Sequence, residues 1–169
     1  MTSLAILEAS FKQAVSETAR KVAGLGFRRR GTHMRVVSQG NSALIEFQRS
    51  RSNSKDQLRF TVNLAVVCGE LLTPDEPPLE KTRSFHGHLR IRIGSFLPIR
   101  QDKWWDVTAS TDPDALATEV SELIVREGAP YILRFLDTKE LIALWRSGKA
   151  PGLNEFQHSK YLERLTLGR

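Results

Sequence analysis

Leu58-Arg59-Phe60-Thr61-Val62-Asn63-Leu64-Ala65-Val66-Val67 is the stretch whose reading decides the fold. Leu58, Phe60, Val62, Leu64 and Val66 alternate with Arg59, Thr61, Asn63, Ala65 and Val67. A two-residue period marks a strand that turns one face to a core, because successive side chains point to opposite sides. No other part of the chain alternates so cleanly, and the run is expected to be a central strand.

Upstream, residues 50–56 are polar and read as a loop, preceded by a strand over residues 43–51. In that strand Ala43, Ile45 and Phe47 face one way, while Leu44, Glu46, Gln48 and Ser50 face the other. Gln39-Gly40-Asn41-Ser42 is rich in turn formers and joins it to a strand at residues 33–38 as a hairpin. A short strand over residues 27–30 is broken by Gly31. Before it, Leu4, Leu7, Phe11, Val15, Thr18 and Val22 recur at helical spacing. Thr2 or Ser3 caps that helix, and Gly24 and Gly26 end it.

Downstream, residues 69–84 hold Pro74, Pro77, Pro78 and several acids, an exposed excursion between neighbouring strands. Residues 85–93 alternate again, placing His86, His88, Arg90 and Arg92 on one face. Residues 103–108 offer one more edge strand. Thr111-Asp112-Pro113 then opens a helical third, with a capping oxygen followed by a proline suited to the first turn. Its stripe is Leu116, Val120, Leu123 and Ile124; Gly128 and Pro130 interrupt it before Tyr131, Ile132 and Phe135. Asp137 with Glu140 resembles a capping box, and residues 153–167 form a last short helix.

Helix, consecutive strands, then helices is the order of an α+β domain. The expected architecture has two layers: a mostly antiparallel sheet of four to five strands, with the N-terminal and C-terminal helices packed on one face. Residues 1–169 suffice for a single domain with its own core.

Composition is ordinary for a globular chain, 40% hydrophobic and 26% charged. One cysteine, Cys68, excludes an internal disulfide, suits a reducing cytosol and ends an apolar strand, so inert burial is expected. No apolar run is long enough to span a bilayer, and residues 1–11 lack a basic-then-apolar signal pattern; the expected location is cytoplasmic. The net charge is +6, and residues 27–60 carry all of it, with eight basic residues against two acidic ones. A localised excess points to an anionic partner.

The chain resembles the bacterial domain-of-unknown-function family 4304. The resemblance rests on Gly26-Phe27-Arg28-Arg29-Arg30-Gly31 after an amphipathic helix, then Ile45-Glu46-Phe47-Gln48-Arg49-Ser50 and Phe60-Thr61-Val62-Asn63-Leu64. His88-Leu89-Arg90-Ile91-Arg92-Ile93-Gly94 and Asp102-Lys103-Trp104-Trp105 complete it. These pieces fall in order over about residues 5–135, with a helical extension over residues 137–169. The resemblance implies one small domain and brings no catalytic residues to transfer.

If the strands pair as neighbours, Gln48, Ser50, Thr61, Asn63, His88, Arg90 and Arg92 share the face away from the core. Guanidinium groups give forked donors for carboxylate or phosphate, and amides fix orientation. Trp104 and Trp105 point to opposite sides if extended, one to the core and one to a rim. The candidate ligand- or partner-binding residues are therefore Gln48, Ser50, Asn63, His88, Arg90, Arg92 and Trp104, for an acidic protein or a small anion. The plainer reading is a solvated sheet face with Glu46 paired to one arginine.

The alternative is single-stranded nucleic acid or RNA, held by Arg28, Arg30, Arg49, Arg51 and Arg59 with Trp104 or Phe85 as a stacking plane. A hydrolase is a third possibility, yet neither a Gly-x-Ser-x-Gly elbow nor a phosphate-binding glycine loop is present. His86 and His88 lack a spaced third ligand beyond Glu46, so no metal or cofactor is expected. A non-catalytic binding module, of the kind that neutralises a partner protein, is the leading expectation.

Overall fold

The computed structural model describes residues 2–167. The alternating run is β4 (Leu58–Cys68), and it organises the sheet. On one side it pairs antiparallel with β3 (Asn41–Arg49) along its whole length, from Arg49↔Phe60 to Asn41↔Cys68. On the other side it takes two short strands. β5 (Leu89–Arg92) pairs with residues 63–66, and β6 (Trp105–Val107) with residues 58–60. β1 (Arg28–Arg30) and β2 (His33–Ser38) extend the far edge in the order β1-β2-β3-β4-β5. Every pairing is antiparallel, and the sheet has six strands rather than four or five, because both three-residue segments join the ladder.

β2 and β3 meet in a two-residue turn whose central residues, Gln39 (φ 56°) and Gly40 (φ 78°), are both left-handed. That turn matches the twist of a hairpin, so β3 starts at Asn41 rather than Ala43.

Ala43, Ile45 and Phe47 of β3 and Phe60, Val62, Leu64 and Val66 of β4 are all buried against the helices. α1 (Ser3–Val22) offers Leu7, Phe11, Ala14, Val15 and Val22 at helical spacing, with Thr2 capping its start. Leu4 is half exposed and stays outside this stripe. α2 (Pro113–Leu123) lies beside α1, begun as the sequence indicates by Asp112, whose carboxylate accepts from the Asp114 and Ala115 N–H groups. Phe11 meets Phe60 edge-on at 5.1 Å, and Phe60 stacks on Trp105 at 5.4 Å. Rings of this size contribute most of the transfer energy of such a core.

Gly128 and Pro130 do not end the helix that follows. Residues 124–128 form a π turn leading into α3 (Ala129–Arg134), and the Ala129 N–H bonds to the Ile124 carbonyl. A Cβ on Gly128 would stand 2.9 Å from Leu64 Cδ1, so glycine lets the helix close on β4. α4 (Thr138–Arg146) and α5 (Glu155–Thr166) follow. α5 packs on the β4–β5 connection: Tyr161 meets the His88 ring edge-on at 5.0 Å, and Arg164 donates to the Leu71 carbonyl. No helix among the described residues is long and apolar enough to cross a membrane.

The expected strand over residues 85–93 needs correction. Residues 84–86 form a tight turn in which the Arg83 N–H donates to His86 Nδ1 at 2.9 Å, and β5 spans only Leu89–Arg92. His86 therefore leaves the ladder. His88 is 4% exposed, so it is no outward-facing group; its side is covered by Tyr161.

Candidate functional site: an arginine groove on the outer sheet face

The register fixes what the face opposite the helices displays. One cross-strand row runs Arg30–His33–Glu46–Asn63–Arg92 over five strands. The next runs Arg28–Arg35–Leu44–Ala65–Arg90. The middle of this face is not wet. Leu44, Ala65 and Val67 form a second buried cluster, covered by Leu72 and Leu79 of the excursion. Arg83 secures that cover by donating to both oxygens of Glu46, at 3.1 and 3.0 Å, and the Ser84 N–H adds a third bond. The excursion thus lies as a strap across the sheet and leaves arginines on either flank.

Burial disfavours the Glu46 carboxylate, but the Arg83 hydrogen bonds, the Ser84 N–H and the Arg83 charge outweigh it and hold its pKa below the ordinary value. Glu46 is the acid expected to pair with an arginine, and its partner is Arg83 of the strap.

On the β5 flank the strap, β4, β5 and the segment before α5 enclose a groove of about 460 Å³. Gln48, Asn63, Arg90 and Arg92 line it, with Ser84, Phe85, Ser95, Asp102, Pro151 and Gly152. Asn63 Nδ2 donates to Gln48 Oε1 at 2.6 Å, which leaves the Gln48 amide hydrogens and the Asn63 carbonyl available. Arg92 is neutralised by Asp102 at 2.7 Å. The Arg90 side chain has no hydrogen bond or ion pair among the described residues. Phe85, 67% exposed, lies against the His86 ring at the rim. Gly152 (φ 87°) forms the opposite wall, so close that a Cβ would stand 2.4 Å from the Arg90 carbonyl oxygen.

Four of the seven candidate residues, Gln48, Asn63, Arg90 and Arg92, meet in this groove. Trp104 stands beside it, half-buried, with the Arg92 and Arg59 guanidinium groups 5.6 and 5.8 Å from its ring. Ser50 belongs to the β3–β4 turn, where its hydroxyl accepts from the Ser52 N–H. His88 Nδ1 accepts from the Cys68 N–H at 3.0 Å, which puts any proton of the neutral ring on Nε2. Burial is the main cause that lowers its pKa to about 4. Burial likewise raises the pKa of the Cys68 thiol. Trp105 is the core member of the tryptophan pair, with its indole N–H on Glu119. Among the described residues no group of three or more His, Cys, Asp or Glu is placed to hold a metal ion.

The basic residues of 27–60 do not form one surface. Arg49 shares the parity of Phe47, lies over the Phe11 ring and binds Glu8 through two 2.7 Å hydrogen bonds on the helix side. Arg59 pairs with Asp106. Arg28 and Arg30 stand on β1, three strands from β4, about 14 Å away at ordinary strand spacing. Arg51 lies in the β3–β4 turn with no partner among the described residues.

Ser84, Ser95, Asp102 and Gly152 were not legible as groove residues, nor was Arg83 as the brace of the strap beside them. Glu46, a single acid among outward polar residues, is the signal that asked for a cation from elsewhere in the chain.

The family model described as a domain of unknown function, DUF4304, matches residues 19–137 of the 169-residue chain. No curated protein and no solved structure matches it. The match starts within α1 and stops at Asp137, the cap of α4, so the Pro151-Gly152 wall of the groove and α5 lie beyond it. Its span takes in all six strands and the strap, and by that match the chain belongs to the DUF4304 family.

Proposed function

We propose that this chain is a non-catalytic binding module that seats a carboxylate-bearing segment of an acidic protein in the groove over β4 and β5. The observation that carries the reading is the contrast between Arg90 and Arg92. Two arginines of one strand line one groove, and only Arg92 has an acid of its own. A forked guanidinium beside free amide donors suits a carboxylate. An exposed aromatic at the rim adds the contact area that, with arginine, dominates protein interfaces. The groove volume fits one or two side chains of a partner. Such a module can act by neutralising the protein it holds, in a bacterial cytosol in keeping with its single cysteine.

Single-stranded nucleic acid is the weaker reading. Arg49 and Arg59 already have acidic partners, and the Trp104 ring lies against two guanidinium groups.

The test is affinity recovery on immobilised full-length protein, with Arg90→Ala as the comparison. Partners retained by the natural chain and lost from Arg90→Ala are expected to be acidic proteins. Identical recovery on both surfaces contradicts the reading.

A further inference from the structure

The opposite flank of the strap holds a different arrangement. Arg28 and Arg35 are direct cross-strand partners on β1 and β2, and Arg30 faces His33 one step along. All four positions share the outer face, and opposed side chains on such a pair start only about 5 Å apart. Like charges placed this way repel and destabilise a sheet unless something lies between them.

Little within the protein relieves this repulsion. The Arg28 and Arg30 side chains have no hydrogen bond or ion pair among the described residues, and both are exposed. Arg35 donates to the Glu80 and Thr82 carbonyl oxygens of the strap, while its Nε is buried without a partner. Arg29, of opposite parity, donates to the Ser16 hydroxyl and the Gly31 carbonyl. Glu46, the nearest acid on the row, is occupied by Arg83. Burial first, then the charges of Arg83 and Arg35, lower the His33 pKa, with Glu46 opposing and Arg30 adding to the effect. Burial and Arg83 likewise lower that of Arg35, with Glu80 opposing and Arg30 reinforcing.

Arg28, Arg30, His33 and Arg35 line a concavity of about 370 Å³ that wraps the sheet edge and also takes in Arg29, Val36, Val37 and Glu80. Among the described residues no strand lies beyond β1, so the concavity is approached from the sheet edge.

We infer that the outer face of the β1–β2 hairpin is a second anion site, distinct from the Arg90 groove, for a compact phosphate chain or its ester. A single carboxylate would leave most of the charge of Arg28, Arg30 and Arg35 unmet, whereas a di- or triphosphate brings several charges on closely spaced tetrahedral oxygens. The span agrees. Arg28 and Arg30 are two residues apart, about 7 Å along the strand, and Arg35 lies one strand spacing, about 5 Å, across. Guanidinium groups bind phosphate oxygens in pairs. Val37, 43% exposed, gives one end an apolar surface for the organic part of an ester.

The experiment is calorimetric titration of the full chain with inorganic tripolyphosphate, at two salt concentrations. The variant is Arg28→Ala with Arg30→Ala, both on exposed positions; its thermal unfolding checks that it folds. A charge-matched control is Arg51→Ala with Lys55→Ala in the β3–β4 turn. Binding is expected for the natural chain and the control, weakening by about tenfold or more in the Arg28/Arg30 variant and falling with salt. Absence of binding at millimolar tripolyphosphate overturns the inference, as does equal weakening by the control. Citrate as strong a ligand as tripolyphosphate removes the phosphate assignment. A single-stranded oligonucleotide that binds more tightly than tripolyphosphate, and is lost in the same variant, replaces the compact ligand by a nucleic-acid backbone and also overturns it. None of these outcomes involves Arg90, so the groove reading stands or falls separately.

Discussion

Arg83 holds Glu46 in a two-pronged grip, Nε to Oε2 at 3.1 Å and Nη2 to Oε1 at 3.0 Å, in the middle of the outer sheet face. This pair makes the excursion between β4 and β5 a strap rather than a free loop. It seals Leu44, Ala65 and Val67 beneath Leu72 and Leu79, and separates the Arg90 flank from the Arg28 flank. The Glu46 side chain is 13% exposed, so the ionised carboxylate depends on these partners.

Replacing Arg83 by alanine leaves that carboxylate underbonded. A stability loss of about 2 kcal/mol is expected, with faster amide exchange across residues 70–87. Because the folded pKa of Glu46 lies below its unfolded value, its contribution is full above the ordinary glutamate range. It is lost as pH falls through the folded pKa. Denaturation curves at pH 7 and in mild acid test this; unchanged exchange in the strap of Arg83→Ala contradicts it.

His88 makes its own contribution in a different window. Its ring faces Tyr161, with Glu76, Arg164, Arg90 and His86 as the charged or titratable neighbours that affect it, and it stays neutral to about pH 4. Below about pH 6.5 the unfolded chain takes up a proton that the folded chain refuses, so stability falls as pH drops from there to about 4. The full span corresponds to about 3 kcal/mol. His88→Gln keeps an acceptor for the Cys68 N–H and does not titrate, so its stability should change less over that window. Parallel pH profiles for the two proteins contradict the assignment.

How far the sequence carried this account depends on what each signal measures. Alternation reports side-chain parity, and parity placed β3, β4, the tryptophan pair and the two arginines of β5 correctly. The Asp112-Pro113 start and the hairpin at residues 39–42 were local chemistry and equally readable, although the turn itself closes on Gln39 and Gly40 alone. Parity says which side a residue takes and nothing about what covers that side. His88 therefore looked outward, while its cover, Tyr161, is more than seventy residues away in the chain. Apolar Leu44, Ala65 and Val67 among polar neighbours did carry a signal that something must lie over them. Arg49 was grouped with Arg28 and Arg30 by charge, although it shares the parity of Phe47 and so lies on the helix face.

Arg49 is accordingly a structural residue. Arg49→Ala removes the bond to Glu8 and the guanidinium over Phe11, and is expected to cost about 1 kcal/mol of stability. Tripolyphosphate affinity should stay at the natural value, in contrast to Arg28→Ala with Arg30→Ala. A matching loss of affinity would place Arg49 on the anion surface after all.

Gly152 sets the outer wall of the groove. An alanine there meets both a positive φ of 87° and the Arg90 carbonyl at 2.4 Å, so the segment before α5 must move outward. Gly152→Ala is expected to lose about 1–2 kcal/mol and to weaken acidic-peptide binding while leaving tripolyphosphate binding intact. Unaltered stability and affinity would show that the wall yields freely.

The most direct measurement of the groove itself is a nuclear magnetic resonance titration of the full chain with a short poly-glutamate peptide. Concerted shifts of the Gln48 and Asn63 side-chain amides and the Arg90 guanidinium are predicted, with the two amide shifts reduced to background in Arg90→Ala. Shifts confined to β1 and β2, or undiminished in that variant, contradict the groove reading.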